Sequence, residues 1–398
     1  MFFALKGPNF NGNQFAQQAL QQGAAYAVVD EQEVADDERL IWFPDVLKCL
    51  QDLALHHRQQ LTIPFIAITG SNGKTTTKEL IHAVLSSHYI TYTTQGNLNN
   101  HIGVPLTILS VKPDAAFAVI EMGANHQKEI AGYCAYTLPT HGLITNCGKA
   151  HLEGFGGEEG VRKGKGELYD HLRVNDGSAF VMWDYDYLRE MSRGIKEIIR
   201  YGTDDADIIG TVAASEPFLQ VSVVKGLALK SVSTNLVGAY NLPNVLVALA
   251  VGKYFGVPEE KIQSAIEAYT PSNSRSQMLN QNGNRIILDA YNANPSSMKL
   301  AIENMVSLHE KTKVLCLGAM AELGEESLAE HQSIINLIGQ NEWHDVALVG
   351  GDFLKLKHPY HSFSNSTEAA TWFREQHFKD ACILVKGSRS TAMEKILN

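Results

Sequence analysis

The stretch Ile68-Thr-Gly-Ser-Asn-Gly-Lys-Thr-Thr-Thr77 gathers glycines, a lysine and hydroxyl side chains in one short span. The run 65–69 before it is strongly apolar and reads as a strand; 78–86 after it reads as a helix. Strand, glycine turn and helix in that order aim backbone N–H groups and a helix N-terminus at one point, which attracts phosphate. Gly70 and Gly73 would let the backbone approach an anion that a Cβ would keep away. Lys74 would reach the β- and γ-phosphates, and the Thr75 hydroxyl would ligate Mg²⁺. The general Gly-x4-Gly-Lys-Ser/Thr pattern asks for a glycine where this chain has Ile68. An ordinary turn containing Gly-Lys-Thr is the competing reading, and the flanking strand and helix count against it. A phosphate loop alone does not separate a GTPase switch from a kinase or a ligase.

Magnesium prefers a few carboxylates beside phosphate oxygens and water. Glu121 follows the apolar run 116–120, and ligands of open parallel sheets lie beyond the carboxyl ends of strands. Glu121 is therefore either a metal-holding carboxylate or a strand-end glutamate facing water. His151, in Thr145-Asn-Cys-Gly-Lys-Ala-His-Leu-Glu-Gly-Phe-Gly156, also follows a strand, and by itself fits a structural role as well as a ligand role. In Glu159-Gly-Val-Arg-Lys-Gly-Lys-Gly-Glu-Leu168, Lys163 and Lys165 read by composition as a solvated basic turn.

These residues need an α/β frame. A helix is expected over 13–22, a strand over 25–29 and a helix over 46–57, with a domain boundary near Leu61 ahead of Pro64. Strands over 65–69, 116–120 and 141–145 alternate with helices, and 244–255 reads as a helix stopping at Gly256. The polar cluster 270–274 reads as a linker. Runs 314–318, 346–350 and 382–386 predict a second parallel α/β unit. The expected fold is thus three α/β domains: a small N-terminal domain (1–60), a central parallel-sheet phosphate-loop ATPase domain (61–270) and a Rossmann-like C-terminal domain (271–398). A length of 398 residues suits two to three domains. The 33 basic and 43 acidic residues leave a formal charge of −10, which argues against broad nucleic-acid or anionic-membrane binding. No apolar run reaches the length of a membrane helix, so no membrane insertion is expected. Five scattered cysteines without Cys-x-x-Cys spacing fit a reducing cytoplasm and argue against a cysteine-based zinc site.

Taken together, Thr69-Gly-Ser-Asn-Gly-Lys-Thr-Thr76, Gly96-Asn-Leu-Asn-Asn-His-Ile-Gly-Val-Pro-Leu106, Ala150-His-Leu-Glu-Gly-Phe-Gly156, Ala290-Tyr-Asn-Ala-Asn-Pro295 and Lys386-Gly-Ser-Arg389 resemble the Mur ligase family. The resemblance covers essentially the whole chain, and its glycine loop is a variant that does without a glycine at position 68. It points to the branch that joins D-alanyl-D-alanine to UDP-N-acetylmuramoyl-tripeptide. It implies an ADP-forming amide ligase of cell-wall synthesis, using ATP and Mg²⁺, cytoplasmic and monomeric, with those two small-molecule substrates.

The resemblance also implies roles. Gly70, Ser71, Asn72, Gly73, Lys74, Thr75 and Thr76 would bind nucleotide. Asn241 would contact adenine, Asp289 the ribose, and Arg275 the γ-phosphate once the third domain closes. Thr75, Glu121, His151 and a carbamylated Lys165 would hold magnesium. Asn99, Asn100, Tyr291, Asn292 and Asn294 would lie toward the peptide substrates. Lys74, Lys165, His151 and Arg275 would carry the catalysis. Two departures stand out. Family members usually begin with a segment bearing a Ser/Thr-Asp-Ser/Thr-Arg uracil-side motif, whereas this sequence opens at Phe2-Phe-Ala-Leu-Lys-Gly7, so a partial uridine domain is expected. Ala319 stands where the family commonly has Asp. Rival readings are a folylpolyglutamate synthase, a ligase adding the third amino acid, and a nucleotide-dependent regulatory protein.

Overall fold

The computed structural model describes residues 1–32, 37–272 and 274–398. Asn273, within the expected linker, lies outside the described residues. Near the N-terminus Phe2–Phe3, Ala27–Val29 and Leu40–Trp42 form a small parallel sheet. The helix expected over 13–22 is instead a 3-10 turn, Gly12–Phe15, followed by the helix Ala16–Gln21. Asn11 accepts from Asn13 N–H and so caps that turn, delaying the helix. The helix Val46–Gln59, capped by Asp45, buries Ala54 in the core of the central domain. From its last turn Arg58 donates to the carbonyls of Thr137, Leu61 and Leu138.

In the central sheet the strands run in the order Ser231–Ser233, Gln220–Lys225, Ile208–Ala214, Glu197–Gly202, Ser178–Met182, His141–Ile144, Phe65–Thr69, Phe117–Glu121 and Thr91–Thr93. The expected parallel arrangement holds from Thr91–Thr93 to Ile208–Ala214. The remaining two strands pair antiparallel, so the whole sheet is mixed. Each buries a single residue, Val221 and Val232, and is otherwise at least partly exposed, whereas Phe65–Thr69 and Phe117–Glu121 are buried throughout. Ile68 pairs with both Glu121 and Leu143. That register brings the ends of three neighbouring strands to one edge of the sheet.

The C-terminal sheet orders Gln277–Gln281, Asn284–Asp289, Cys382–Lys386, Lys313–Gly318, Asp345–Val349 and His361–Phe363. Only its first pair is antiparallel. One apolar cluster runs from the central core through Ala293 and Met298 to Leu315 and Leu348, tying the two larger domains together. The five cysteines are free thiols. Among the described residues no helix is long and apolar enough to cross a membrane.

Candidate active site

The loop after Phe65–Thr69 turns at Gly70, with φ 141°, and Gly73, with φ 78°. A Cβ at Gly70 would stand 2.0 Å from Thr145 Oγ1, so only glycine fits there. The helix begins at Lys74, four residues earlier than the sequence pattern placed it. Its first intrahelical bond runs from Thr77 N–H to the Gly73 carbonyl. The N–H groups of Lys74, Thr75 and Thr76 therefore project from the helix end, where an anion is favoured. Lys74 Nζ folds back on the carbonyls of Gly70 (2.6 Å) and Ser71 (3.1 Å). Burial lowers its pKa to about 8, with Glu121 pulling the other way and Arg275 adding to the lowering.

Glu121 is 1% exposed, which excludes the water-facing alternative. Its Oε1 accepts from Thr75 Oγ1 at 3.2 Å and from Asn99 Nδ2 at 2.7 Å, while its N–H donates to Thr94 Oγ1. Its Oε2 is buried without a hydrogen-bond partner. A buried carboxylate oxygen left bare is costly unless a cation meets it. Among the described residues no three His, Cys, Asp or Glu side chains converge. An ion here would rest on Glu121, the Thr75 hydroxyl and phosphate oxygens, a donor set that suits Mg²⁺.

Lys163 and Lys165 sit on the helix Glu158–Val174, not on a turn. Lys163 is exposed; Lys165 is 1% exposed and donates to the Ala124 carbonyl at 3.0 Å, beside the Glu121 segment. Desolvation, with the charge of Lys74 acting in the same direction, lowers its pKa to about 7. At neutral pH a large share of this amine is uncharged.

His151 has φ 53° at the start of a short helix, and its Nδ1 lies 2.6 Å from Glu322 Oε2 of the C-terminal domain. Glu322 also has a positive φ. Two more contacts bridge the domains nearby: Lys149 Nζ to Glu330 Oε1 at 2.6 Å, and Lys149 N–H to Ser296 Oγ at 3.0 Å. Arg275 lies over the Tyr291 ring, 3.5 Å from its centroid, and close enough to Lys74 to affect its pKa. Asp289 accepts from Ser276 N–H and pairs with the buried Lys386.

Other expected ligand residues have structural partners. Asn241 is buried, donating to the Val237 carbonyl and accepting from Asn244, which in turn accepts from Thr77 Oγ1 under the loop. Asn100 Oδ1 accepts from Ile102 and Gly103 N–H and starts the helix Gly103–Ser110. Asn294 caps Pro295–Ser307 and donates to Asn72 Oδ1 at 2.8 Å. Asn292 is exposed, its Oδ1 accepting from Ala293 N–H. Ala319, in place of the family's Asp, is buried, and its carbonyl accepts from Ser388 Oγ. Sequence reasoning assigned no role to Thr94, Asn146, Glu322 or Lys386. A lysine at the end of the buried strand Cys382–Lys386 was the one visible signal among them.

Comparison with known proteins matches the Mur ligase middle domain over residues 68–252 and the Mur ligase glutamate ligase domain over 274–389. The UDP-N-acetylmuramoyl-tripeptide–D-alanyl-D-alanine ligase of Bacillus subtilis is 32% identical, over 100% of this chain and 89% of its own length. A crystal structure of MurF from Acinetobacter baumannii aligns with TM-score 0.90 at 30% identity, covering 99% of this chain and 88% of that one. MurF from Thermotoga maritima in complex with ADP aligns with TM-score 0.89 at 25% identity, covering 99% and 92%.

Proposed function

The chain belongs to the Mur ligase family, and on that premise we propose that it joins D-alanyl-D-alanine to UDP-N-acetylmuramoyl-tripeptide, converting ATP to ADP and phosphate. The observation that carries this reading is the cluster of Lys74, Thr75 and the unpartnered Glu121 Oε2 at the sheet edge, with Lys165 beside it. We assign residues 61–270 to ATP, 1–60 to the UDP-linked end, and 271–398 to closing over the reactants.

A carboxylate does not condense with an amine at neutral pH, because oxide would have to leave. Transfer of the γ-phosphoryl group to the tripeptide carboxylate makes an acyl phosphate. The dipeptide amine then attacks its carbonyl carbon, phosphate departs with the C–O bond electrons, and the amine loses a proton. Gly70 to Thr76 hold the nucleotide phosphates, Lys74 offsets charge at the β- and γ-phosphates, and Arg275 adds a second cation from the other domain. Asn241 and Asp289 serve the adenosine end. Asn99, Asn100, Tyr291, Asn292 and Asn294 line the way to the peptide substrates. Thr75 and Glu121, and His151 with Lys165 as its carbamate, would hold Mg²⁺, which supplies charge neutralisation between ATP and the carboxylate. Uncharged Lys165 can add CO₂ with loss of a proton, turning a neutral amine into an anionic ligand. Phosphate release tests the whole reading: it is expected only when ATP, the UDP-linked tripeptide and D-alanyl-D-alanine are all present. Release with either acceptor omitted at the same rate would reject it.

A further inference from the structure

The phosphate loop is held from beneath by two residues with no role so far. Ser71 N–H donates to the Asn146 carbonyl at 2.9 Å, and Asn72 N–H donates to Asn146 Oδ1 at 3.1 Å. Asn146 Nδ2 donates back to the Asn72 carbonyl at 3.1 Å. Thr145 Oγ1 donates to that same carbonyl at 2.6 Å and fills the space that a Cβ on Gly70 would need. One side-chain amide thus meets both main-chain groups of residue 72, as a paired strand would. Of the side chains, only Asn and Gln carry a donor and an acceptor side by side on one amide.

The pattern divides the loop's donors. The inner N–H groups, Ser71 and Asn72, are turned toward Asn146. Those of Lys74, Thr75 and Thr76 project from the helix end. We propose that Asn146 is a positioning residue for the nucleotide: it holds the inner turn open so that only the outer N–H groups meet phosphate. A glycine-rich turn without such a support would sample many conformations and lose entropy when it closed on an anion. Asn146 touches no phosphate in this account and acts through Asn72. The clamp extends further, because Asn72 Oδ1 accepts from Asn294 of the C-terminal domain. This role rests on the reading of the loop as the ATP site.

The test uses the full chain with Asn146→Asp and Asn146→Ala. The aspartate is isosteric and keeps the acceptor, but loses the donor and puts a negative charge against the Asn72 carbonyl. Calorimetric ADP binding should weaken by about 10- to 100-fold in Asn146→Asp and about 10-fold in Asn146→Ala, as expected for a hydrogen bond lost and a polar group left bare. KM for ATP should rise in parallel, while binding of the UDP-linked tripeptide stays near wild type and the melting temperature falls by only a few degrees. ADP affinities within about twofold of wild type in both variants, set against the tenfold that one lost bond predicts, overturn the role of Asn146 alone. So does an equal loss of ADP and UDP-substrate binding, which marks general damage. Failure of the unmutated chain to bind ADP overturns the phosphate-loop reading, and this role with it.

Discussion

Gly70 to Thr75 and Arg275 to Asn294 form two sides of the proposed site, and they are held by different means. The first side is built on the central sheet and the helices packed on it. Glu121, Thr75 and Lys165 are each at most 5% exposed and positioned by one strand end and two helices, Lys74–Ser86 and Glu158–Val174. The second side rests on a few contacts: Arg275 on the Tyr291 ring, Asp289 on Lys386 and Ser276 N–H, Asn294 on its helix and on Asn72. On the proposed function, the first side would supply charge in place before nucleotide binds, and the second would complete the site when the C-terminal residues close on it.

Changes on the first side should be the more severe. Lys74→Ala is expected to lower ligation by about 10³-fold or more, since it removes a preorganised cation from the developing phosphoryl charge. Phosphate-release kinetics with both acceptors would check it, and activity within tenfold of wild type would move the active site elsewhere. Lys165→Ala should cost about 10²- to 10³-fold, comparable to loss of one electrostatic group, and be partly restored by added short carboxylates. Intact-mass spectra without a carbamate increment, together with an active mutant, would remove that role. The same lysine sets a pH dependence. With its pKa lowered to about 7, the uncharged amine that can take up CO₂ is lost as pH falls through 7. Activity should therefore drop on the acid side, and raised bicarbonate should move the midpoint lower.

Arg275→Ala probes the second side. A drop of about 10- to 100-fold in kcat with little change in affinity for the UDP-linked tripeptide is expected for a cation supplied on closure. An unchanged kcat would mean that the third domain brings no charge to the reaction. The smallest effect is expected at the bridge itself. Lys149→Met breaks a partly exposed pair with Glu330, worth about 1 kcal/mol at most, and should raise KM for ATP by about fivefold or less. A larger loss would show that docking is held chiefly at this point.

The glycine turn, its flanking strand and the acid at a strand's carboxyl end were legible because each depends on local sequence: glycine where the turn needs positive φ, an apolar run ahead, Glu121 closing the strand Phe117–Glu121. Lys165 was legible only by resemblance. Its composition suggested a surface turn, and burial on the helix Glu158–Val174 reversed that. Asn100, Asn241 and Asn294 look alike in sequence as polar residues near ligands, yet in the structure they cap helices or support the loop. Residue type does not say which partner an amide will meet.

By itself the amino-acid order determined the alternation of elements and the chemistry on offer, since periodicity and turn residues act over a few positions. Only the tertiary structure decided which of those groups lie together, which pKa values move and which amides are already engaged. Those outcomes depend on desolvation and on contacts between residues dozens to hundreds of positions apart, such as Thr75 with Glu121 and Asn72 with Asn294.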